Sequence, residues 1–320
     1  MLCSQVPVLC YLLHLLTDIV YACVAVAIIN KFAISPGDGD NYCGKEVVGV
    51  TCLDGNLHVL LSRDATQANE GFSKVVVYSA EDYRLLRRLS RVILPRGFQS
   101  HSNNDITSCD AHKGLYISEY LNNKLHGYDL NAIDRSQDAG GITEMWSVQV
   151  PAPRGLSLTP RCNLLVMCGG EPNKLLELSV DGGNRVREIV LPSEITSPWH
   201  GVQLANGQFV VCHGDKEGEL HRVCMVNSDG RVTRTYGGRR GYDLGQLNSP
   251  RHLAADTGSQ HIFVADANNN RLVVLSPMLE CVRCDRVSLP HRLYLDHPSR
   301  RLFVGQPDGD VTVFKLHTVV

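Results

Sequence analysis

The chain has 320 residues, of which 43% are hydrophobic, 20% are charged and 28 are glycine. These proportions are ample for a globular protein with a sizeable core. The net charge of −2 and an isoelectric point near 6.7 exclude an overall positive field of the kind that draws a protein to nucleic acid, and leave only a local basic patch open.

The N-terminal 30 residues contain no lysine or arginine, and Asp18 is their only charged residue. Residues 6–29 are mostly apolar, and a helix of this length, at about 1.5 Å per residue, spans a bilayer. Asp18 and His14 are costly in hydrocarbon, at about 2.5–3.5 kcal/mol for the aspartate. Three interpretations stay open. The segment is a membrane anchor with a cytosolic domain, or a secretory signal that lacks the usual positively charged N-terminal region. In the third, it is packed on a cytoplasmic domain or lies outside the true coding sequence.

From residue 47 onward, one pattern recurs: a turn residue, two polar or small residues, and an apolar run. The apolar runs are anchored at Val50, Ile106, Leu156, Val202, Leu253 and Leu293. These anchors are 40 to 56 residues apart, which is too variable for a thin solenoid and ordinary for four-stranded propeller blades. The sequence therefore predicts an all-β, six-bladed propeller over residues 31–320, preceded by the hydrophobic segment 1–30.

Two further apolar runs follow in each unit, such as HIFVADA and RLVVLSP in the fifth. Apolar residues alternate in many of them, as expected for strands in sheets that stack face to face. The last unit has three predicted strands, so ring closure requires a strand from the N-terminal side, and INKFAIS (29–35) is the best candidate. A ring closed in this way has few exposed sheet edges.

The fifth unit, residues 244–277, reads LGQLNSPRHLAADTGSQHIFVADANNNRLVVLSP. It resembles the NHL repeat at Gly245, Pro250, Asp256, Asp266, Asn269 and Arg271, with His252 in place of the usual glycine. The resemblance implies a six-bladed β-propeller and a bridge from Asp266 to Arg271 between the second and third strands. The second unit keeps Glu119, Asn122 and Lys124 at these spacings. TRIM-NHL-type proteins carry such propellers, but no RING, B-box or coiled-coil pattern precedes this one, so the resemblance does not imply ubiquitin-ligase activity.

Twelve cysteines are scattered along the chain, and several fall in or beside predicted strands. Free cysteine packs well in cores, so we expect reduced thiols in a reducing compartment, and a secreted propeller would be harder to reconcile with them. Cys281 and Cys284 form the one close pair, CVRC. A single CxxC is a weak signal for a redox or zinc site.

The starts of the innermost strands are expected to surround one mouth of the central channel. The positions predicted there are Val48, Gly49, Asn104, Asp105, Arg154, Gly155, His200, Gly201, Arg251, His252, His291 and Arg292. This set is basic and rich in histidine, and Asp105 is its one carboxylate. One carboxylate does not suffice for a calcium-dependent propeller hydrolase, because Ca²⁺ takes six to eight oxygen ligands.

Histidines from three different units, His200, His252 and His291, resemble the zinc ligands of the amidating lyase propeller, and three imidazoles with an open position suit a catalytic zinc. Histidine beside a turn is more commonly solvated or bonded to a loop carbonyl, and no convincing catalytic pattern surrounds these three. We therefore assign no catalytic residue, metal ligand or cofactor from the sequence. A zinc-dependent lyase or hydrolase stays an alternative.

Two basic segments lie outside the predicted mouth. YRLLRRLSRVILPRG (83–97) is interpreted as an exposed outer strand and loop, where arginine protects an edge. The second segment is the loop GGRRG (237–241). The leading hypothesis is a monomeric, non-enzymatic scaffold that binds a protein partner, with RNA binding through the basic face as an alternative. The predicted contact residues are Arg154, His200, Arg239, Arg240, Arg251, His252, His291 and Arg292.

Overall fold

The structure is a computed structural model that describes residues 23–33, 45–63, 73–89, 103–134, 141–214 and 219–319. Within these ranges the chain forms six antiparallel sheets of four strands each. Each sheet is one blade, and the blades follow one another in sequence order. The prediction of an all-β protein with six blades is confirmed.

The first three blades each contain four consecutive strands. Blade one has β2 (Lys45–Leu53), β3 (Asn56–Arg63), β4 (Ser73–Ser79) and β5 (Leu85–Leu89). Blade two has β6 (Asp105–Cys109), β7 (Gly114–Glu119), β8 (Lys124–Asp134) and β9 (Gly141–Gln149). Blade three has β10 (Pro153–Leu158), β11 (Leu164–Cys168), β12 (Lys174–Leu178) and β13 (Arg185–Val190).

The last three blades complete the ring. Blade four has β14 (Pro198–Gln203), β15 (Phe209–His213), β16 (Leu220–Val226) and β17 (Val232–Arg239). Blade five has β18 (Pro250–Ala255), β19 (Ile262–Asp266), β20 (Arg271–Leu275) and β21 (Cys281–Arg286), with a short 3₁₀ helix at Ala267–Asn269. Blade six has β22 (Arg292–Asp296), β23 (Arg301–Gly305), β24 (Asp310–Val319) and β1 (Cys23–Ala33).

The second strand of most blades is buried along its whole length. Every residue of β7, β11, β15 and β19 is buried, whereas the outermost strand β13 is mostly exposed. A strand that neighbouring blades cover on both faces reads as a continuous apolar run, because neither face meets water. The alternation expected for these strands is therefore replaced by runs such as LLVMC and FVVCH.

Strand β1 closes the ring by pairing with β24 as the outermost strand of blade six. The sequence placed this strand at residues 29–35, and the structure places it at Cys23–Ala33. Phe32 fastens β1 to blade one, since its ring centroid lies 5.5 Å from that of Tyr78 and 5.1 Å from that of Tyr83. Lys31 adds an ion pair with Asp310, at 2.6 Å between Nζ and Oδ2.

The closing strand includes the last seven residues of the apolar segment 6–29 that was considered as a membrane span. Residues 6–22 of that segment, with Asp18 and His14, lie outside the described residues, as do Arg91 and Arg96 of the basic segment 83–97. In the part of the chain that the structure describes, no helix has the length and apolar character needed to cross a bilayer.

The bridge implied by the repeat resemblance is present in blade five. Asp266 and Arg271 are opposite each other in the strand pair, with 2.7 Å between Oδ2 and Nε, and Asn269 Nδ2 donates to the same carboxylate at 2.7 Å. Blade two keeps part of this arrangement, because Asn122 Nδ2 donates to Glu119 Oε1 at 2.5 Å. There, His126 Nε2 lies 3.0 Å from Glu119 Oε2 and provides the cross-strand contact.

Candidate functional site

The six innermost strands all begin at one end of the central channel, which we call the mouth. In blades three, four and five the inner strand starts with a proline, and a β-bulge follows directly after it. A bulge adds one residue and turns its side chain away from the regular alternation of the strand. The residues that directly follow these prolines are Arg154, Trp199 and Arg251.

The alignment of the repeats placed the mouth residues of blade four one position too far toward the C-terminus. It took His200 as the equivalent of Arg154, whereas the bulge makes Trp199 the equivalent residue. Trp199 was therefore missed as a mouth residue. Counting from the proline that opens each strand, rather than from the apolar anchor, identifies Trp199, since Pro198 is followed by Trp199 as Pro153 is followed by Arg154.

Two arginine side chains pack on the Trp199 ring. The guanidinium carbon of Arg251 lies 4.0 Å from the ring centroid, and that of Arg154 lies 4.9 Å away. The indole Nε1 donates to the Gly214 carbonyl at 2.8 Å, which fixes the ring. Cation–π contacts of this kind hold guanidinium groups in place without neutralising their charge.

Arg292 is held more deeply, between blades six, one and two. Its Nε donates to the Val48 carbonyl at 2.5 Å, and its Nη2 donates to the Asn104 carbonyl at 3.2 Å. The residue is 5% exposed, so it is a buried cation beside the mouth and not a residue of its outer surface. With Arg154, Arg251 and Trp199 it lines a cavity of about 10 Å³, enough for one water-sized group.

Beneath these arginines, Asp105 lies buried in the channel. Its Oδ1 accepts a hydrogen bond from the Ile106 amide at 2.9 Å, and its Oδ2 accepts one from the Leu156 amide at 2.8 Å. The same Oδ2 lies 3.1 Å from Nε2 of His252 and 3.8 Å from Nε2 of His200. One carboxylate from blade two thereby connects the inner strands of blades two, three, four and five.

The two histidines beside Asp105 stack, with 3.6 Å between ring centroids. His200 is 1% exposed and His252 is 6% exposed, so the structure removes both from the partner-facing surface predicted for them. The glycine at position 155 makes room for them, because a Cβ there would lie 2.4 Å from Cδ2 of His200. The cause is the bulge, which turns Trp199 outward and the following His200 into the channel.

Burial determines the protonation of His200. Burial and the neighbouring His252 lower its pKa to about 3, so its ring is neutral near pH 7. Its Nε2 then donates to the Leu156 carbonyl at 3.0 Å, and its Nδ1 is buried without a hydrogen-bond partner. Burial opposes ionisation of Asp105, but His252, Arg292 and His200 outweigh it and lower the pKa of Asp105, which is therefore a buried anion.

Two arginines of the mouth are held without a hydrogen bond from their Nε atoms. The Nε atoms of Arg154 and Arg251 are both buried without a hydrogen-bond partner. Burial, followed by repulsion from Arg292, lowers the pKa of Arg251 to about 10. The partly buried carboxylate of Glu46 acts on Arg251 in the opposite direction, and its Oε1 lies 3.2 Å from Nδ1 of His291.

The other predicted contact residues fall into separate places. His291 lies at the mouth beside Glu46, away from the pair formed by His200 and His252. Arg239 ends the outer strand of blade four, and Arg240 begins the loop that leads to the start of β18. In that loop Tyr242 is 80% exposed and Leu244 is 82% exposed.

A groove on the same face extends the mouth outward over blades two and three. It has a volume of about 720 Å³, and its walls include Tyr120, Arg154, the stretch Gly169 to Asn173, and the stretch Leu191 to Ser193. Arg154 lines both this groove and the small cavity at the mouth. At the opposite end of the channel, a second cavity of about 270 Å³ lies beyond His200 and His252.

The group Asp105, His200 and His252 also has the composition of a metal site. One ligand atom from each residue lies within 4.8 Å of the others, and no other such group occurs among the described residues. The three-histidine zinc site considered from the sequence is not assembled here, since His291 pairs with Glu46. Asp105 supplies the third candidate ligand, which the sequence had identified as the single carboxylate of the mouth.

No protein-family model and no curated protein sequence matches this chain, so membership of the NHL-repeat family stays a prediction. Among solved structures, the chain is similar to Kuenenia stuttgartiensis hydrazine synthase, with 12% identity and a TM-score of 0.57 over 89% of this chain and 99% of that chain. It is also similar to proteins of unknown function from Bacteroides thetaiotaomicron VPI-5482 and from Bacteroides caccae. The first has 11% identity and a TM-score of 0.61 over 92% of this chain and 76% of that chain, and the second has 14% identity and a TM-score of 0.54 over 72% and 78%. At these identities the similarity shows the propeller fold alone.

Proposed function

We propose that this protein is a non-enzymatic interaction scaffold whose mouth binds an acidic segment of a protein partner. The observation that carries the proposal is the excess of desolvated positive charge at the mouth. Arg292 forms an ion pair with Asp105, with 3.9 Å between Nε and Oδ1, whereas the Nε atoms of Arg154 and Arg251 are buried without a hydrogen-bond partner. A partly buried guanidinium without a hydrogen-bonded anion is costly, and an incoming carboxylate relieves this cost.

The surroundings of the mouth support a protein ligand. The groove that begins at Arg154 can accept an extended chain while an acidic side chain reaches the arginines. Tyr242 and Leu244 add exposed apolar surface on the loop that leads into β18. Tyrosine and arginine are enriched in protein interfaces, so this combination favours a polypeptide partner.

The same geometry disfavours single-stranded RNA at this site. Recognition of RNA bases uses open aromatic faces on which the bases stack. The Trp199 ring at the mouth is already in contact with Arg154 and Arg251, and its Nε1 is bonded to Gly214. RNA binding through the basic face therefore stays an alternative that the binding experiment must distinguish.

The test is a fluorescence anisotropy titration of the protein with a labelled glutamate-rich peptide. A glutamine-rich peptide of equal length and a single-stranded RNA of equal charge serve as comparisons. We expect the variant Arg251→Gln to weaken peptide binding by at least about tenfold, because truncating one partner of a desolvated charge pair costs more than about 1.4 kcal/mol. The matched control is Arg234→Gln, which removes an exposed arginine from the outer strand β17.

Binding that Arg251→Gln and Arg234→Gln reduce equally would show general attraction to the protein and would overturn the proposed site. Tighter binding of the RNA, with the same dependence on Arg251, would favour the RNA alternative. Added salt should weaken the binding of the peptide and of the RNA alike, so salt dependence does not decide between them.

A metal-dependent activity is the second candidate, because Asp105, His200 and His252 lie close together and Nδ1 of His200 is buried without a partner. The Nε2 atoms beside Asp105 fit a divalent ion only if His252 gives up its hydrogen bond to Asp105 and His200 gives up its hydrogen bond to Leu156. Stoichiometric zinc in the purified protein, lost in both His200→Ala and His252→Ala, would favour this candidate. Folded protein without zinc would leave these residues with a structural role in the channel.

A further inference from the structure

The outermost strand of blade five carries the pair Cys281 and Cys284. On a regular strand, residues three apart point to opposite faces of the sheet. Here the pairing register shifts: Cys284 is opposite Val273, Arg283 is opposite Val274, and Cys281 is opposite Leu275. Val282 is thereby left as the extra residue of a bulge, and both cysteines point to the same face.

As a result the two sulfur atoms are in contact, with 3.6 Å between Cys281 Sγ and Cys284 Sγ. Cys284 is exposed and Cys281 is partly exposed, whereas most of the other cysteines whose side chains are described are buried. The pair lies on a strand that has a neighbouring strand, β20, on one side only. Cys284 is therefore open to small reagents in solution, and Cys281 is partly open to them.

The neighbours of the pair favour an ionised thiol at Cys281. A hydrogen bond from Cys284, together with the nearby Tyr236 and Arg271, lowers the pKa of Cys281 to about 6, although burial opposes this shift. The hydrogen bond to Cys281 raises the pKa of Cys284, and burial adds to the effect. One sulfur is thus the nucleophile at neutral pH and the other keeps its proton.

We propose that Cys281 and Cys284 form a thiol–disulfide exchange site that reacts with a low-molecular-weight disulfide such as glutathione disulfide. In the first step the Cys281 thiolate attacks one sulfur of the reagent. A bond forms between Cys281 and that half, the reagent's own disulfide bond breaks, and the other half leaves as a thiolate.

In the second step Cys284 loses its proton to water and attacks the Cys281 sulfur. The protein disulfide forms, and the second half of the reagent leaves as a thiolate. The two cysteines are oxidised by two electrons, and one disulfide is reduced to two thiols. The sulfur atoms must approach by about 1.5 Å to reach the bonded distance of about 2.05 Å, a movement that an outermost strand can accommodate.

The test uses the folded full-length protein, incubated with glutathione disulfide and mapped by mass spectrometry without reduction. In the unmodified sequence we expect the peptide that contains both cysteines to lose two hydrogen atoms and to carry no glutathione. Cys284→Ser is expected to accumulate one glutathione adduct on Cys281, because the second step is blocked. Cys281→Ser is expected to react at least about tenfold more slowly than the unmodified protein, because burial still raises the pKa of Cys284 after Cys281 is removed and keeps that thiol protonated.

The matched control is Cys162→Ser, which replaces a partly exposed cysteine of blade three and should leave the reaction unchanged. Stable glutathione adducts on both cysteines of the unmodified protein, with no bond between them, would overturn the proposal. A Cys284→Ser protein with no adduct on Cys281 would overturn it as well. The mapping of the unmodified protein does not depend on the folding of any variant.

Discussion

Replacement of Asp105 by alanine tests whether this buried carboxylate connects the blades. Asp105 is 2% exposed and accepts hydrogen bonds from the amides of Ile106 and Leu156, and from Nε2 of His252. Alanine offers no acceptor, so two buried backbone donors lose their partner. The positive charges nearby lose their closest buried anion as well.

The magnitude follows from these contacts. A buried donor left without a partner costs about 1–3 kcal/mol, and removing one member of a buried charge pair costs about 3–5 kcal/mol. Because these contributions overlap, we expect Asp105→Ala to lower the free energy of unfolding by about 3–5 kcal/mol. With an unfolding entropy of about 0.6 kcal/mol/K for a propeller of this size, Tm falls by about 5–8 °C.

The assay is urea unfolding followed by the fluorescence of Trp146 and Trp199, with a thermal melt alongside. Asp229→Ala is the control, since Asp229 is exposed in a turn and its loss should change the free energy of unfolding by less than about 0.5 kcal/mol. If Asp105→Ala unfolds at the same urea concentration as Asp229→Ala, with the same slope, the reasoning that Asp105 connects the blades is refuted.

Asp105→Asn separates the charge from the hydrogen bonds, because asparagine keeps one oxygen acceptor. The pKa of Asp105 is lowered in the folded protein, so its ionised form stabilises the fold above the unfolded pKa of about 3.9. This contribution is lost as the pH falls through the lower folded pKa. The stability difference between the native protein and Asp105→Asn should therefore shrink in acid, and a constant difference would contradict an ionic role.

Three further predictions concern histidine titration, close packing and ring closure. Burial lowers the pKa of His58 to about 4. Below about pH 6.5 the unfolded chain therefore takes up a proton that the folded chain does not. The free energy of unfolding should then fall between pH 6.5 and 4 by up to about 1.4 kcal/mol per pH unit. In urea unfolding, His58→Gln should reduce the change in the free energy of unfolding with pH. His317→Gln, at an exposed position, should leave it unchanged. An unchanged pH dependence in His58→Gln would show that His58 does not contribute. Gly155→Ala should lower the free energy of unfolding by about 1–3 kcal/mol and weaken peptide binding, because the added Cβ would lie 2.7 Å from the Trp199 carbonyl oxygen. Gly258→Ala is the control and should be neutral, since the nearest atom to its added Cβ is 3.6 Å away. Equal melting temperatures for the two glycine variants would contradict this packing. Phe32→Ala should lower the free energy of unfolding by about 1–3 kcal/mol, because it removes the ring contacts that hold β1 against blade one. The control is Ile29→Ala, at an exposed position of the same strand. Equal effects of the two variants would refute this account of ring closure.

The repeat pattern of the sequence was sufficient to predict the architecture. The recurring apolar runs set the number of strands and blades, because each blade is a local unit that must cover its faces with its neighbours. The same locality explains why the bridge from Asp266 to Arg271 was predictable, since these residues are opposite each other across one tight connection. The positive character of the mouth also followed from residues at the starts of the repeats.

The tertiary structure decided which of those residues face outward. Bulges shifted Trp199 to the surface of the mouth and His200 into the channel, and a bulge brought Cys281 and Cys284 to one face. Asp105 meets His252 across 147 positions of sequence, a contact that exists only because the ring closes. Strand periodicity carries no signal for an inserted residue or for a meeting between distant blades, because both depend on register and closure and not on the local alternation of side chains.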